Sequence, residues 1–491
     1  MNKQSESPSA SRRTTALVVL AVVLYWIWWD SFHEASRFYL APPFTPSGSD
    51  PFYAYLSCFM RPVGIMAGCV AVLVALRTGR ELLLCGSGLR VLFCLELALH
   101  ALYWIVLPRY ELSALACILH AAVSACVVVN LTAFGLLINQ LDMRTAVVTA
   151  LCCLTGYGVT SLLFSFSLNG VPLVAMGVGY GLVLAAAYAL CAKTIDPARL
   201  RAQIEHREIH VATPQPLFVH LVVYGLTFGI LHTLGGAIAA SPYNINLPTF
   251  FAAIVAASML AVLFLTPHAN YEIWSKMRST VFPLTVIGVQ LIPLVPISDI
   301  ALTVMESGEL LYDAVFAIGC ITLMKRTFVD PRLIVAKGLL LKSLGMALGI
   351  AWASFFYIEA VPFSAMETQV SFAVVITLLL TIATFWVGSD DRIRKIWGLR
   401  KKLTPKQYND AVLALKCEAL SQQFRLTARE SETLLLLAQG RRASEIKEEK
   451  HLSINTVRSH IQRLYTKLDV HSIDSLNELI KHVEVDEKRI G

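Results

Sequence analysis

Between Ser453 and Val470 the polar side chains Asn455, Arg458, Ser459, Gln462, Arg463 and Thr466 recur at helical intervals, while Val457, Ile461, Leu464 and Leu468 follow a 4, 3, 4 spacing. On a helix these two sets lie on opposite faces. Arginine pairs bidentately with guanine and glutamine with adenine, so the polar face carries the hydrogen-bonding groups needed to read base edges. A second group of reactive side chains stands in apolar surroundings: Arg61, Glu96, His120, His232, Glu309 and Asp313. Ionisable groups in hydrocarbon are costly, and they mark ligand, ion or proton sites or pair with one another. No spacing of Ser, Cys, His, Asp or Glu makes a catalytic constellation, a metal site or a nucleotide loop, so neither an enzyme nor a cofactor is expected.

The elements that must position these groups belong to two different materials. Charged residues make up 15% of the 491 and apolar types 56%, whereas an ordinary soluble domain has about 25% charged. Residues 389–491 alone hold 20 Lys and Arg and 15 Asp and Glu. The remainder is too apolar for a soluble protein. A helix crossing the bilayer core needs roughly 20 apolar residues, and unpaired backbone groups exclude open sheet from lipid. Twelve such runs are expected, over 14–35, 52–76, 88–107, 112–138, 145–167, 171–192, 217–240, 248–267, 281–301, 305–324, 333–357 and 370–388. The fold class is therefore all-α, a polytopic membrane bundle followed by a small helical domain.

With the N-terminal tail 1–13 in the cytoplasm, fifteen Lys and Arg fall in inner loops and only Arg37 and Arg109 in outer ones. The positive-inside rule then places both termini in the cytoplasm. None of the eleven cysteines falls in an outer loop, so no disulfide framework is expected. Gly64/Gly68, Gly177/Gly181, Gly225/Gly229 and Gly345/Gly349 make GxxxG pairs that allow close helix approach. Arg61, Glu96 and His120 fall at similar depths of roughly 14, 16 and 12 Å from the outer surface, at 1.5 Å per residue. Two readings stay open: Arg61, Glu96, His120, His232 and Asp313 contact a ligand, or Arg61 and Glu96 form a structural ion pair and the histidines are packing residues. Lys337 and Lys342 are expected to snorkel to headgroups.

After the last span, Arg392, Arg394, Lys395, Arg400, Lys401 and Lys402 form a basic run suited to anionic headgroups. In this segment, 389–425, Thr404-Pro405 starts a linker helix with Tyr408, Val412, Leu415 and Ala419 on one face. Thr427 with Glu430 forms a capping box for a helix from Ala428 that Gly440 ends. A short helix covers Ser444–Lys450, Ser453 caps a third and Ser472 a fourth carrying Leu476, Leu479 and Ile480. Two helices joined by a tight turn, the second apolar behind and polar in front, make a helix-turn-helix.

Residues 426–483 closely resemble the LuxR-type (NarL/FixJ-type) DNA-binding domain. The matching residues are Leu426-Thr427, Arg429-Glu430, Leu434, Ala438, Gly440, Glu445-Ile446, Leu452-Ser453, Thr456-Val457, His460, Lys467-Leu468 and Val470. The resemblance implies a four-helix unit that binds DNA as a dimer through its third helix. Arg458, Ser459 and Gln462 would then meet base edges, and Asn455, Thr456, Arg463 and Lys467 phosphates. Lys447 and Lys450 stand where the family usually has Ala and Leu, a charge against the core unless it snorkels out, and Asp469 stands where Gly usually leaves the helix. The bundle, 14–388, is similar in layout to major facilitator superfamily transporters, with halves 14–192 and 217–388 and a cytoplasmic loop 193–213. Arg77, Gly79 and Arg80 resemble part of that superfamily's signature between spans two and three, without its Asp. That arrangement implies that spans 1, 4, 7 and 10 line a central cavity, with His120, His232 and Asp313 facing it.

Together these expectations describe a one-component transcription regulator in a bacterial inner membrane, closed by a charged tail at 484–491. Its expected partners are promoter DNA, a small-molecule ligand of unknown identity, the lipid bilayer, a second copy of itself when on DNA, and RNA polymerase. The alternative is a solute transporter with an appended regulatory DNA-binding or protein-interaction domain.

Overall fold

The computed structural model describes residues 8–39, 52–79, 86–167, 173–194, 215–238, 247–266, 273–294, 299–326, 329–358, 366–386 and 405–483, with 207, 209 and 213. The basic run 392–402, the tail 484–491 and most of the loop 193–213 lie outside the described residues. The chain forms two compact units, Met1–Leu399 and Arg400–Gly491.

In the first unit, α1 is Pro8–Tyr39, α2 Phe52–Arg77, α3 Gly86–Val106, α4 Ser113–Asn139, α5 Met143–Ser167 and α6 Leu173–Thr194. The second six are α7 Gln215–Ile238, α8 Leu247–Leu265, α9, α10 Asp299–Arg326, α11 Pro331–Ile358 and α12 Met366–Trp386. Helix α9 is composite: Ile273–Lys276, a π-helical turn Met277–Val281, and Phe282–Leu294. Nine of these helices are, on their described residues, long and apolar enough to cross a membrane, and Val370–Trp386 is a shorter apolar one. Several helices start earlier than expected, α1 at Pro8 rather than 14 and α10 at Asp299 rather than 305. The ninth starts at Ile273 rather than 281. Its first turns include Lys276, whose ammonium lies 5.8 Å from the Phe264 ring centre.

The two sets of six helices repeat one pattern of contacts. Helix α1 packs on α5 and α6, α2 on α4, and α3 on α4 and α6; correspondingly α7 packs on α11 and α12, α8 on α10, and α9 on α10 and α12. The sets meet through α2 with α11 and α5 with α8, again related pairs. Each has its own aromatic core, with Tyr25, Trp28, Phe32 and Tyr103 buried in the first and Tyr224, Phe228 and Tyr312 in the second. Across the junction the ammonium of Lys325, at the end of α10, donates to the carbonyls of Asn139 (2.8 Å) and Leu141 (2.6 Å) at the end of α4. A cation there also complements the negative end of the helix dipole.

The closest helix seam joins α7 to α11. A Cβ added at Gly225 or Gly229 would fall 2.1 or 2.2 Å from the carbonyl oxygens of Lys342 or Met346; at Gly345 or Gly349, 2.0 or 2.1 Å from those of Val222 or Leu226. Both GxxxG pairs therefore face each other. Gly64 and Gly68 of α2 play the same part against Ala121 and Ala125 of α4. Replacing Gly345 by Ala is expected to destabilise the bundle by about 1 to 3 kcal/mol or more through overpacking against backbone. Thermal unfolding in detergent checks this, with Gly179→Ala, a site with nothing within 4 Å, as the unchanged control.

Candidate functional site

The second unit contains α13 (Pro405–Gln423), α14 (Ala428–Ala438), α15 (Ala443–Lys450), α16 (Ile454–Leu468) and α17 (Ile473–His482). Local sequence sets most of these boundaries. Thr427 and Glu430 form a full capping box, while Ser453 and Ser472 accept hydrogen bonds from the backbone N–H groups of Thr456 and Ser475. Gly440, His451 and Asp469 take the left-handed turns that follow α14, α15 and α16 (φ +82°, 51° and 53°). The core beneath α16 holds Leu434, Leu437, Ile446, Val457, Leu464, Leu468 and Leu476. Helix α13 packs on this core too, through Leu413, Cys417 and Leu420; of the expected face, Val412, Leu415 and Ala419 are half-buried beside it, and the Tyr408 side chain lies outside the described residues. Burial pushes the Cys417 thiol up to about 11.

With that core buried, Asn455, Thr456, Arg458, Ser459, Gln462 and Arg463 are all exposed on the outer side of α16. Lys467 is exposed as well, but its ammonium is held 2.7 Å from the Glu430 carboxylate. Instead of a free phosphate contact it is a strut between α14 and α16. Glu430 is 5% exposed, and the same oxygen accepts from the Thr427 backbone N–H (2.8 Å) and hydroxyl (2.9 Å). The Lys467 hydrogen bond, ahead of those from Thr427, holds its carboxyl well below the usual range, at about 2. Neither lysine of the turn invades the core. Lys447 is exposed, and Lys450 reaches Glu432 at 2.5 Å, a bond that leads the lowering of the Glu432 pKa.

The bundle contains a cavity of about 170 Å³ between its two sets of helices. Asp30 of α1, Arg61 of α2, His232 of α7 and Glu306, Glu309 and Asp313 of α10 supply its charged lining, and Trp26 and Tyr157 its aromatic lining. Glu309 lies 3.5 Å from His232. Asp313 pairs with Lys342, whose ammonium also sits over the Phe228 and Tyr312 rings. Lys342 thus turns inward and does not snorkel to headgroups, because the aromatic rings and Asp313 solvate it in place. The Arg61 guanidinium stands 5.2 Å from the Trp29 ring centre.

Three expected site residues, Arg61, His232 and Asp313, therefore share the cavity. Glu96 and His120 do not line it. Glu96 is fully buried and accepts from the Tyr25 hydroxyl at 2.8 Å; Asn130 donates to the same hydroxyl at 3.3 Å and accepts from Tyr188 at 3.1 Å. No ion pair joins Arg61 to Glu96 among the described residues. His120 is 3.1 Å from the Ser57 hydroxyl, facing α2. Equal depth did not imply contact, since rotation about each helix axis decides which side a residue faces. Asp30, Glu306 and Lys342 were missed. A signal for Glu306 was available: with Glu309 and Asp313 it makes a 3, 4 spacing on one face of α10.

Residues 425–479 match the family model described as GerE, bacterial regulatory proteins, luxR family. Among solved structures, the bundle is similar to a crystal structure of the human organic anion transporter MFSD10 (TETRAN). That likeness has a TM-score of 0.53 and 12% identity, covering 76% of this chain and 100% of that one. No curated protein matches the chain.

Because Glu430 titrates lower in the folded domain than its ordinary value of 4.5, its stabilisation is fully present above about pH 4.5 and is lost as pH falls toward 2. Glu430→Gln in the unit 400–491 should cost about 1 to 3 kcal/mol at pH 7 and flatten the acid limb of stability, as urea unfolding against pH would show. Residues 425–479 are a LuxR-family helix-turn-helix domain, fused to a transmembrane region of major-facilitator-like fold.

Proposed function

We propose that the chain is a membrane-embedded one-component transcription regulator, in which the bundle senses a small molecule and the LuxR-type domain binds promoter DNA. The observation that carries this reading is the intact reading face of α16, on the same polypeptide as a membrane bundle with a charged internal cavity. Arg458, Ser459 and Gln462 are assigned to base edges, and Asn455, Thr456 and Arg463 to phosphates, with Lys467 holding α16 in place. The chain sits in the bacterial inner membrane with both termini cytoplasmic, on the excess of Lys and Arg in its inner loops.

A ligand acts on such a protein only through different affinities for two states of the bundle. Two domains are needed to engage half-sites about 34 Å apart, so the DNA-bound form is a homodimer, with RNA polymerase its further partner at the promoter. A second reading, a transporter with an appended regulator, is favoured by the cavity's position between the two sets of helices. Solute uptake into vesicles that is lost with Asp313→Asn supports it, whereas promoter regulation without flux supports the sensor.

Sequencing of DNA fragments retained by the full-length protein in nanodiscs tests the main reading, with a single enriched operator as the expected result. Arg458→Ala should then lose about 1 to 3 kcal/mol of discrimination at one base pair per half-site. An unchanged footprint and unchanged base preference would remove Arg458 from the reading face, and retention without sequence preference would remove promoter recognition.

A further inference from the structure

A second cavity, of about 60 Å³, lies within the second set of helices, among α7, α9, α10 and α11. It shares no lining residue with the charged cavity between the two sets. Its walls are mostly apolar, with Leu217, Ile273, Met277, Phe316, Cys320 and Ile334 among them, and two polar rings stand in these walls, His220 and Tyr312. Both rings are buried, 1% and 0% exposed. The Tyr312 hydroxyl has no hydrogen-bond partner among the described residues, and neither ring nitrogen of His220 completes a hydrogen bond there, although the Ala383 carbonyl bears on that ring. The neighbouring Tyr224 is different. It stacks on Tyr312 with ring centres 4.5 Å apart, yet its own hydroxyl reaches Thr384 at 2.9 Å.

Polar groups buried in this way give up their bonds to water and gain nothing in return unless the content of the cavity supplies partners. A neutral imidazole offers one donor and one acceptor, and a phenol hydroxyl can be either. Ring centres 5.9 Å apart put His220 and Tyr312 within the span of one small molecule. A hydroxyl group answers both, donating to an imidazole nitrogen and accepting from the phenol. Water alone fits the space poorly: each molecule needs about 10 to 15 Å³ and two to four polar partners, so there is room for several but bonding for few. An ion fits no better, because Lys337 is the only fully charged lining residue among the described residues and is engaged with other groups. Size is bounded from above as well. A cavity of about 150 Å³ holds benzene, so a body of about three carbons suits this smaller one.

We propose that this cavity binds a small uncharged alcohol, its hydroxyl group held between His220 and Tyr312 and its short hydrocarbon body against the apolar walls. The site goes beyond the reading of the chain as a regulator and does not rest on it.

The test uses four molecules of one size, each with four non-hydrogen atoms: isopropanol; acetone, which lacks the hydroxyl hydrogen; acetate, an anion; and isopropylamine, a cation at neutral pH. Full-length protein with isotope-labelled histidine is held in lipid nanodiscs, and its ring-nitrogen resonances are followed by NMR as each molecule is added. Alcohol dissolved in the lipid then gives no saturable signal. The expected result is a saturable shift of one histidine by isopropanol, at a concentration at least about fivefold below that needed for the other three, the ratio that one buried hydrogen bond supplies. Tyr312→Phe should weaken isopropanol by about the same factor, and His220→Gln should remove the responding resonance. If His220→Gln fails to fold, Tyr312→Phe, which deletes a single hydroxyl, carries the assignment. Absence of a saturable shift, a response unchanged in Tyr312→Phe, or binding of acetone, acetate or isopropylamine as tight as isopropanol overturns the proposal.

Discussion

Hydrocarbon offers no hydrogen bonds, so every charge carried into it must be solvated by the protein. Helix α10 concentrates that demand. Glu306, Glu309 and Asp313 follow one another along one face, and two of them are answered from neighbouring helices, His232 on α7 and Lys342 on α11. Lys342 takes further support from the faces of Phe228 and Tyr312. The rest of the second half is arranged around this need. The glycine seam between α7 and α11 brings together the two helices that carry these partners, and the buried aromatic core lies beside them.

The first half meets the same demand differently. Glu96 is enclosed with Tyr25, Asn130 and Tyr188, and His100 accepts from the Trp28 indole while its other nitrogen lies 2.7 Å from the Gly177 carbonyl. These networks tie α1, α3, α4 and α6 to one another. Arg61 stands apart on the cavity wall. One half is therefore tied by hydrogen bonds away from the cavity, while the other places Glu309 with His232 and Asp313 with Lys342 on it.

The helix-turn-helix domain obeys other rules, because water is available to it. Its surface charges cost little, and one buried carboxylate carries the structural weight: Glu430 closes the start of α14 through Thr427 and fixes α16 through Lys467. The orientation of the reading face thus depends on a residue that never touches it. The pairing of Lys450 with Glu432 works in the same way, turning a departure from the family pattern into a surface tie.

By itself the sequence determined what depends on neighbours along the chain. Runs of apolar residues mark the spans, Thr427, Ser453 and Ser472 mark helix starts, and the 4, 3, 4 spacing of Val457, Ile461, Leu464 and Leu468 separates the core of α16 from its exposed face. Each of these is a local property with a fixed helical period. Only the tertiary structure decided which way each membrane helix is rotated and hence which charges meet. Equal depth suggested that Arg61, Glu96 and His120 would cluster, yet Glu96 turned to Tyr25, His120 to Ser57, and Lys342 inward to Asp313. Within an apolar helix nearly every face is hydrophobic, so the periodicity that orients a helix in water is absent. Rotation is then fixed by glycine seams and polar partners far along the chain, such as Gly64 against Ala121 and Gly225 against the Lys342 carbonyl.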